Sequence, residues 1–147
     1  MALLVVGSVA LDTVETPFGK RDDALGGSAT FFSTAAALFT PVQLVAVIGQ
    51  DFPQEHIDFL KGRGVNLDGL IRAPGKTFRW KGEYSHSMNE AKTLDTQLNV
   101  FADFHPKIPA EQRSTPYVML GNIHPSLQVE VLEQIEKPKL VIADTMN

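Results

Sequence analysis

The stretch DALGGSATFFSTAAALF, Asp23–Phe39, determines how this chain is interpreted. Two adjacent glycines, Gly26 and Gly27, run into small and apolar residues that carry no charge. Glycine has no Cβ, so both positions permit backbone conformations and close approaches that other residues forbid. The stretch therefore predicts either a loop that holds a ligand at the start of a helix, or only a tight turn before a buried helix.

Length and composition indicate one globular domain. The chain has 147 residues, 44% of them hydrophobic, and a net charge of −4 with its basic residues scattered. This charge argues against a nucleic-acid surface, which needs clustered Lys and Arg. The absence of cysteine excludes disulfides and thiolate chemistry. Because no apolar run reaches the roughly 18 residues of a membrane span and no basic signal region opens the chain, we expect a cytoplasmic protein.

Apolar runs alternate with helical patterns along most of the chain, which predicts an α/β fold: a doubly wound, mostly parallel sheet flanked by helices. The predicted buried strands are Leu3–Val6 with an extension toward Leu11, Gln43–Ile48, Tyr117–Leu120 and Leu140–Ala143. The predicted helices are Ser28–Phe39, Pro53–Gly62 and Ser126–Glu136, the last with Ser126 as its cap.

The middle of the chain has a different pattern. Residues 77–88 and 97–106 alternate apolar with polar side chains, which is typical of half-exposed antiparallel strands. Residues 89–95 would form the loop between them, and Thr13–Thr16 would join the same sheet. We therefore expect a small β-sheet that projects from the α/β body as a lid.

Familiar catalytic motifs are absent. The segment APGKT, 73–77, lacks the first glycine and the following helix of a phosphate-binding P-loop. No G-x-G-x-x-G follows the first strand, no G-x-S-x-G is present, and the four histidines lack metal-ligand spacing. The last residues, KPKLVIADTMN, predict a strand that reaches a carboxylate where the next helix would begin. We therefore expect the chain to be the N-terminal part of a longer protein whose C-terminal part is missing here.

An ordered set of motifs remains: VVGSVALD at 5–12, LGGSATFFS at 25–33, VIGQD at 47–51 and VIADTMN at 141–147. In this order and spacing the sequence resembles the N-terminal half of the ribokinase-like (PfkB) carbohydrate kinase family. The resemblance implies a ribokinase-like fold, with residues 1–147 as the N-terminal portion of the domain and lid strands at about 12–17 and 77–105. It also implies ATP-dependent phosphorylation of a sugar or related polyhydroxy compound, with ATP and Mg²⁺ as cofactors of the full-length protein.

The resemblance also implies substrate-binding residues. Asp12 can accept two hydrogen bonds from substrate hydroxyls, while the backbone of Gly26 and Gly27 and the helix start at Ser28 can approach them. The family usually has Asn where this chain has Phe31. Either Thr30 or another group supplies that contact, or the substrate is less polar there, so Thr30 and Phe31 are both candidate substrate-binding residues. Asn122 and Arg79 are lesser substrate candidates, and Asp144 and Asn147 would face the nucleotide.

The family's late G-A-G-D loop, which holds the general base and an anion hole, does not occur in these residues. The chain therefore has no predicted catalytic residue and no metal site, and we expect it to be inactive as a kinase by itself. The expected partner is a small sugar or nucleoside-like substrate, without nucleic acid or membrane, and the lid could pair two subunits into a homodimer. Two alternatives stay open: a non-catalytic nucleotide- or metabolite-binding domain, and a module that binds a partner through its lid.

Overall fold

The computed structural model describes residues 2–146, in which nine strands and three α-helices form a body and a lid. The body strands are β1 (Leu3–Val6), β4 (Val42–Ile48), β5 (Val65–Arg72), β8 (Tyr117–Leu120) and β9 (Leu140–Ala143). The lid strands are β2 (Ala10–Thr16), β3 (Gly19–Gly26), β6 (Arg79–Tyr84) and β7 (Ala91–Gln97). The helices are α1 (Ser28–Ala36), α2 (Gln54–Gly62) and α3 (Pro125–Gln134).

The body is a parallel sheet with strand order β5-β4-β1-β8-β9. Its central strand β1 is apolar on both faces, and both faces are covered: Val5 packs in one apolar cluster and Leu4 in another on the opposite side. Such double burial explains why β1 has no alternation of polar residues. The α/β architecture with a mostly parallel sheet is therefore confirmed.

The lid is a second sheet with strand order β3-β2-β6-β7, in which β2 and β6 run parallel and the outer pairs run antiparallel. The first lid strand along the chain, β2, contains the predicted segment Thr13–Thr16. The lid also contains β3, which was not predicted because residues 20–23 are all charged. A small sheet that projects from the body is present, although its strand bounds differ from the predicted ones.

The largest difference concerns the second half of the lid. Residues 91–95, predicted as part of a loop, belong to β7, whereas the predicted strand at 97–106 contains a short 3₁₀ turn at Asn99–Phe101. The apolar side chains of residues 97–106 pack outside any strand. Phe101 stacks on Phe78 with ring centroids 5.1 Å apart, and Phe104 is buried in an apolar cluster of the body. Alternation in this segment therefore reflects contacts with the lid base and the body.

Three smaller expectations were also wrong. Strand β9 exists with the predicted bounds, but its apolar side chains are exposed because it is the edge strand of the body sheet. Helix α3 begins with Pro125 and is capped by His124, whose Nδ1 accepts a hydrogen bond from the Ser126 amide, so Ser126 is not the cap. Strand β5 was missed because polar residues interrupt it on an exposed edge.

The start of α1 is fixed against the ends of two body strands. Gly27 has φ +97°, a conformation that favours glycine, and a Cβ there would overlap the Ser8 carbonyl. The Ser28 amide donates to Ser8 Oγ at 3.0 Å and the Ala29 amide donates to the Ser8 carbonyl at 3.0 Å. The Asn122 amide donates to Ser28 Oγ at 2.9 Å, which links the end of β8 to the same point.

We predict that Gly27→Ala destabilises the protein by more than about 2 kcal/mol, because the new Cβ meets backbone atoms in a strained conformation. Gly62→Ala is the matched control, since nothing lies within 4 Å of a Cβ at that position and its φ is not positive. Urea unfolding followed by circular dichroism measures both. Equal stability of the two variants would contradict the tight packing of α1 on Ser8.

Candidate functional site

A cleft of about 930 Å³ lies between the inner face of the lid and the carboxyl end of the body sheet. The lid contributes mainly apolar side chains, and the body contributes polar groups that follow β1 and β8. The cleft lining includes Phe78, Trp80 and Thr96 on the lid side and Ser8, Asn122 and His124 on the body side. In open parallel sheets, ligands bind at this carboxyl edge.

Asp12 belongs to the lid and not to the end of the first body strand. The chain leaves the body after β1 and enters β2, in which Asp12 is the third residue and lies directly opposite Trp80 of β6. Paired residues of neighbouring strands project from the same face, so Asp12 shares the inner face of the lid with Trp80. The predicted extension of the first strand to Leu11 is therefore two separate strands.

Gly26 makes room for the Asp12 carboxylate. It is the last residue of β3, next to β2, and a Cβ at this position would overlap the carboxylate oxygens. The two residues are thus neighbours in one sheet. The first glycine of the pair shapes the surroundings of Asp12, while the second turns the chain into α1.

The Asp12 carboxyl is poorly solvated and lacks a hydrogen-bond donor. Burial raises its pKa to about 6, and no group within residues 2–146 donates a hydrogen bond to it. A desolvated carboxylate is costly unless donors compensate it. Such donors can come from a ligand that reaches Asp12 from the cleft, whose lining includes its neighbour Trp80 but not Asp12 itself.

The backbone at the start of α1 is already engaged. Ser8 accepts the amides of Ser28 and Ala29, and Ser28 Oγ lies 3.1 Å from Ser8 Oγ while accepting the Asn122 amide. These groups therefore hold the cleft's base together, in addition to any contact with a substrate. Ser8 was not singled out from the sequence; its position directly after the first strand was the available signal.

The side chains of Thr30 and Phe31, two neighbouring candidates on α1, differ in burial. Thr30 is buried and its hydroxyl has no partner among the described residues, so it lies inside the protein. The Phe31 side chain is 64% exposed. Of the two, only Phe31 presents its side chain to the surface.

Asn122 forms part of the cleft wall, and its Nδ2 lies 3.5 Å from Met146 Sδ. Asp144 follows β9, and its Oδ1 accepts the Met146 amide at 2.9 Å, so it lies at the same carboxyl edge. Asn147, the other predicted nucleotide-side residue, lies outside the described residues.

Arg79 lies on the outer face of the lid, opposite to Trp80. Its guanidinium bonds Asp23 of β3 and donates to Asp51 Oδ2 at 2.8 Å. The other Asp51 oxygen accepts the Thr77 amide at 2.7 Å and the Thr77 hydroxyl at 2.8 Å. These bonds join the lid to the loop after β4, so Asp51 and Arg79 lie at the junction between the lid and the body.

The hydrogen bonds at Asp51 determine its protonation. Desolvation acts to raise the pKa of Asp51, but the Thr77 amide, the Arg79 guanidinium and the Thr77 hydroxyl outweigh it and lower the pKa below its ordinary value. The two lid-associated carboxyls, Asp12 and Asp51, therefore have opposite shifts. Asp51 is satisfied by the protein, whereas Asp12 is not.

Among residues 2–146, no group of three or more His, Asp or Glu side chains is arranged to hold a metal ion. No helix in the described range is long and apolar enough to cross a membrane.

No protein-family model matches the chain. In sequence it is 28% identical over 141 residues to a cytidine kinase from Thermococcus kodakarensis, a region that covers 95% of this chain and 50% of that protein. The chain thus spans about half the length of the curated relative it matches.

Solved structures resemble the chain over most of its length. A nucleoside kinase from Burkholderia thailandensis in complex with inosine has a TM-score of 0.75 and 16% identity, and covers 90% of this chain and 47% of its own. A ribokinase from Cryptococcus neoformans in complex with ADP has a TM-score of 0.71 and 20% identity, with coverages of 86% and 44%. The chain therefore has the ribokinase-like fold, which confirms the resemblance inferred from its ordered motifs.

We predict that the raised pKa of Asp12 makes the protein less stable as pH rises. Its folded-state pKa of about 6 lies above the ordinary unfolded value near 3.9, so ionisation costs stability as pH rises through this interval. Asp12→Asn removes the titration, and its stability relative to the parent is expected to grow by about 1–2 kcal/mol between pH 4 and pH 8, after allowance for partial exposure. Urea unfolding at both pH values measures this difference. A difference that does not change with pH would contradict the desolvation of Asp12.

Proposed function

We propose that this chain is the substrate-binding half and lid of an enzyme that transfers a phosphoryl group from ATP to a hydroxyl of a sugar or nucleoside. One observation carries the proposal: the desolvated Asp12 carboxylate shares the inner lid face with Trp80, a wall residue of the cleft, and has no donor within residues 2–146. The relatives support it, because their names describe kinases of a nucleoside or of ribose.

Asp12 holds the substrate in this proposal and does not perform the chemistry. An ionised carboxylate can accept hydrogen bonds from two neighbouring hydroxyls, and these donors would replace the solvation that burial removes. Gly26 leaves space for the carboxylate, and Asn122 supplies an amide on the body side of the cleft. Gly27 and Ser28 support the site by holding α1 against Ser8. Thr30 and Phe31, near the start of α1, remain proposed substrate-binding residues.

The lid would close over the substrate. Its hinge is built from Asp51, Thr77 and Arg79, which connect the base of the lid to the loop after β4. Closure of such an element excludes water and positions the reacting hydroxyl. Arg79 acts here through the hinge, since it lies on the outer face of the lid.

The phosphate side of the reaction would be completed by other sequence. ATP with Mg²⁺ would supply the phosphoryl group and neutralise its charge. Asp144, which follows the carboxyl end of β9, and Asn147 are proposed to face that side. We expect the general base and the anion hole to lie in the part of a relative's length that this chain does not span, so residues 1–147 alone would turn over no substrate.

We further propose a cytoplasmic enzyme that forms a homodimer through its lid. All seven residues of β7 are exposed, and β7 is an edge of the lid sheet. Edge strands present unpaired backbone groups that can pair with another strand. A second copy of the lid is the occupant that we propose for this edge.

The first test is a substrate panel with the full-length protein. We expect ADP release with one strongly preferred sugar or nucleoside, because Asp12 recognises hydroxyls at fixed positions. A coupled assay with ATP and Mg²⁺ measures the rate for each compound. Absence of ADP above background with every sugar and nucleoside would refute the proposed function.

The second test separates substrate holding from chemistry. Asp12→Asn loses the charge and one acceptor oxygen, so we expect kcat/KM to fall roughly tenfold to several-hundredfold. Slow ATP hydrolysis without substrate is expected to remain. Asp58→Asn, an exposed change on α2, is the matched control. Loss of ATP hydrolysis together with phosphorylation, in a protein folded by circular dichroism, would contradict the holding role.

A further inference from the structure

Trp80 is the single tryptophan of the chain and lies on the wall of the cleft. Its six-membered ring occupies the space over Gly82 in which a Cβ would stand, so only glycine at that position permits this placement. Its indole Nε1 donates a hydrogen bond to Thr93 Oγ1 on β7 at 3.2 Å. The ring is thus fixed at both ends by neighbours within the lid.

Trp80 lines a cleft whose lid side is mainly apolar, with Thr96 of β7 as a polar residue. Phe78 and Leu98 line the same wall, and Phe101 stacks on Phe78 at 5.1 Å. A free sugar carries hydroxyls around its whole ring, and those that meet this wall would lose water without gaining partners. A molecule with a flat apolar face at one end matches the wall better.

Asp12 and Trp80 are directly opposed in the β2–β6 register. Hydrogen-bonded neighbouring strands lie about 4.7–4.9 Å apart, so two residues directly opposed in register are within the reach of one small molecule. A nucleoside combines the two chemical ends that these side chains require, a hydroxylated sugar and a planar base. Aromatic side chains stack on every base because each base has a π-face.

We propose that Trp80 binds the planar base of a nucleoside whose sugar hydroxyls bind Asp12, so that the substrate is a nucleoside and not a free sugar. This inference rests on the proposed function and adds to it the class of substrate. Gly82 and Thr93 act as positioning residues for the ring, because neither needs to touch the ligand.

Calorimetry with the full-length protein tests the inference, with cytidine, inosine and ribose as probes. At least one nucleoside is expected to bind ten times or more tighter than ribose, and Trp80→Leu is expected to reduce this advantage to within about threefold. Trp80→Phe keeps an aromatic ring and is expected to retain most of it. Thr93→Val removes only the anchor of the ring and is expected to weaken nucleoside binding more than ribose binding.

The outcomes separate the inference from the proposed function. Ribose that binds as tightly as both nucleosides, or a nucleoside advantage that survives in a folded Trp80→Leu variant, would overturn the base site. Phosphorylation of free sugars alone would also overturn it while leaving a kinase. Nucleoside binding that depends on Trp80, without ADP release from any substrate, would support the base site and refute the kinase.

Discussion

The close contact between the start of α1 and the end of β1 is the constraint on which the rest of the structure depends. Ser8 accepts the first two amides of α1, and Gly27 allows the chain to pass against the Ser8 carbonyl. Ser28 Oγ then accepts a hydrogen bond from the backbone amide of Asn122, two residues after β8. Because β1 also leads directly into the lid strand β2, this junction determines where the lid and its carboxylate stand relative to the body.

Asp51 and Asp12 have opposite surroundings. Asp51 is surrounded by donors, its pKa is lowered, and it joins the loop after β4 to the lid. Asp12 is desolvated without a donor and has a raised pKa, which reduces stability at neutral pH. A local departure from good hydrogen bonding is expected at a ligand site, where the ligand completes the bonds. The Trp80 ring is held in one position on the cleft wall by Gly82 and Thr93.

The sequence predicted the body well and the lid only in part. Continuous apolar runs such as Leu3–Val6 indicated the parallel sheet, since two-sided burial leaves no polar alternation. The alternation at 97–106 wrongly predicted a strand. Phe101 and Phe104 belong to irregular backbone, and they pack against the lid base and the body. The pairing of Asp12 with Trp80 could not be predicted, because it depends on a β2–β6 register that joins distant parts of the chain.

A structure of the full-length protein with a bound nucleoside is the most direct test of the account. We expect that structure to have two sugar hydroxyls within hydrogen-bond distance of the Asp12 oxygens, about 2.5–3.0 Å, and the base against the Trp80 ring. A nucleoside bound with its sugar away from Asp12, or with the Asp12 carboxylate still without a donor, would contradict it.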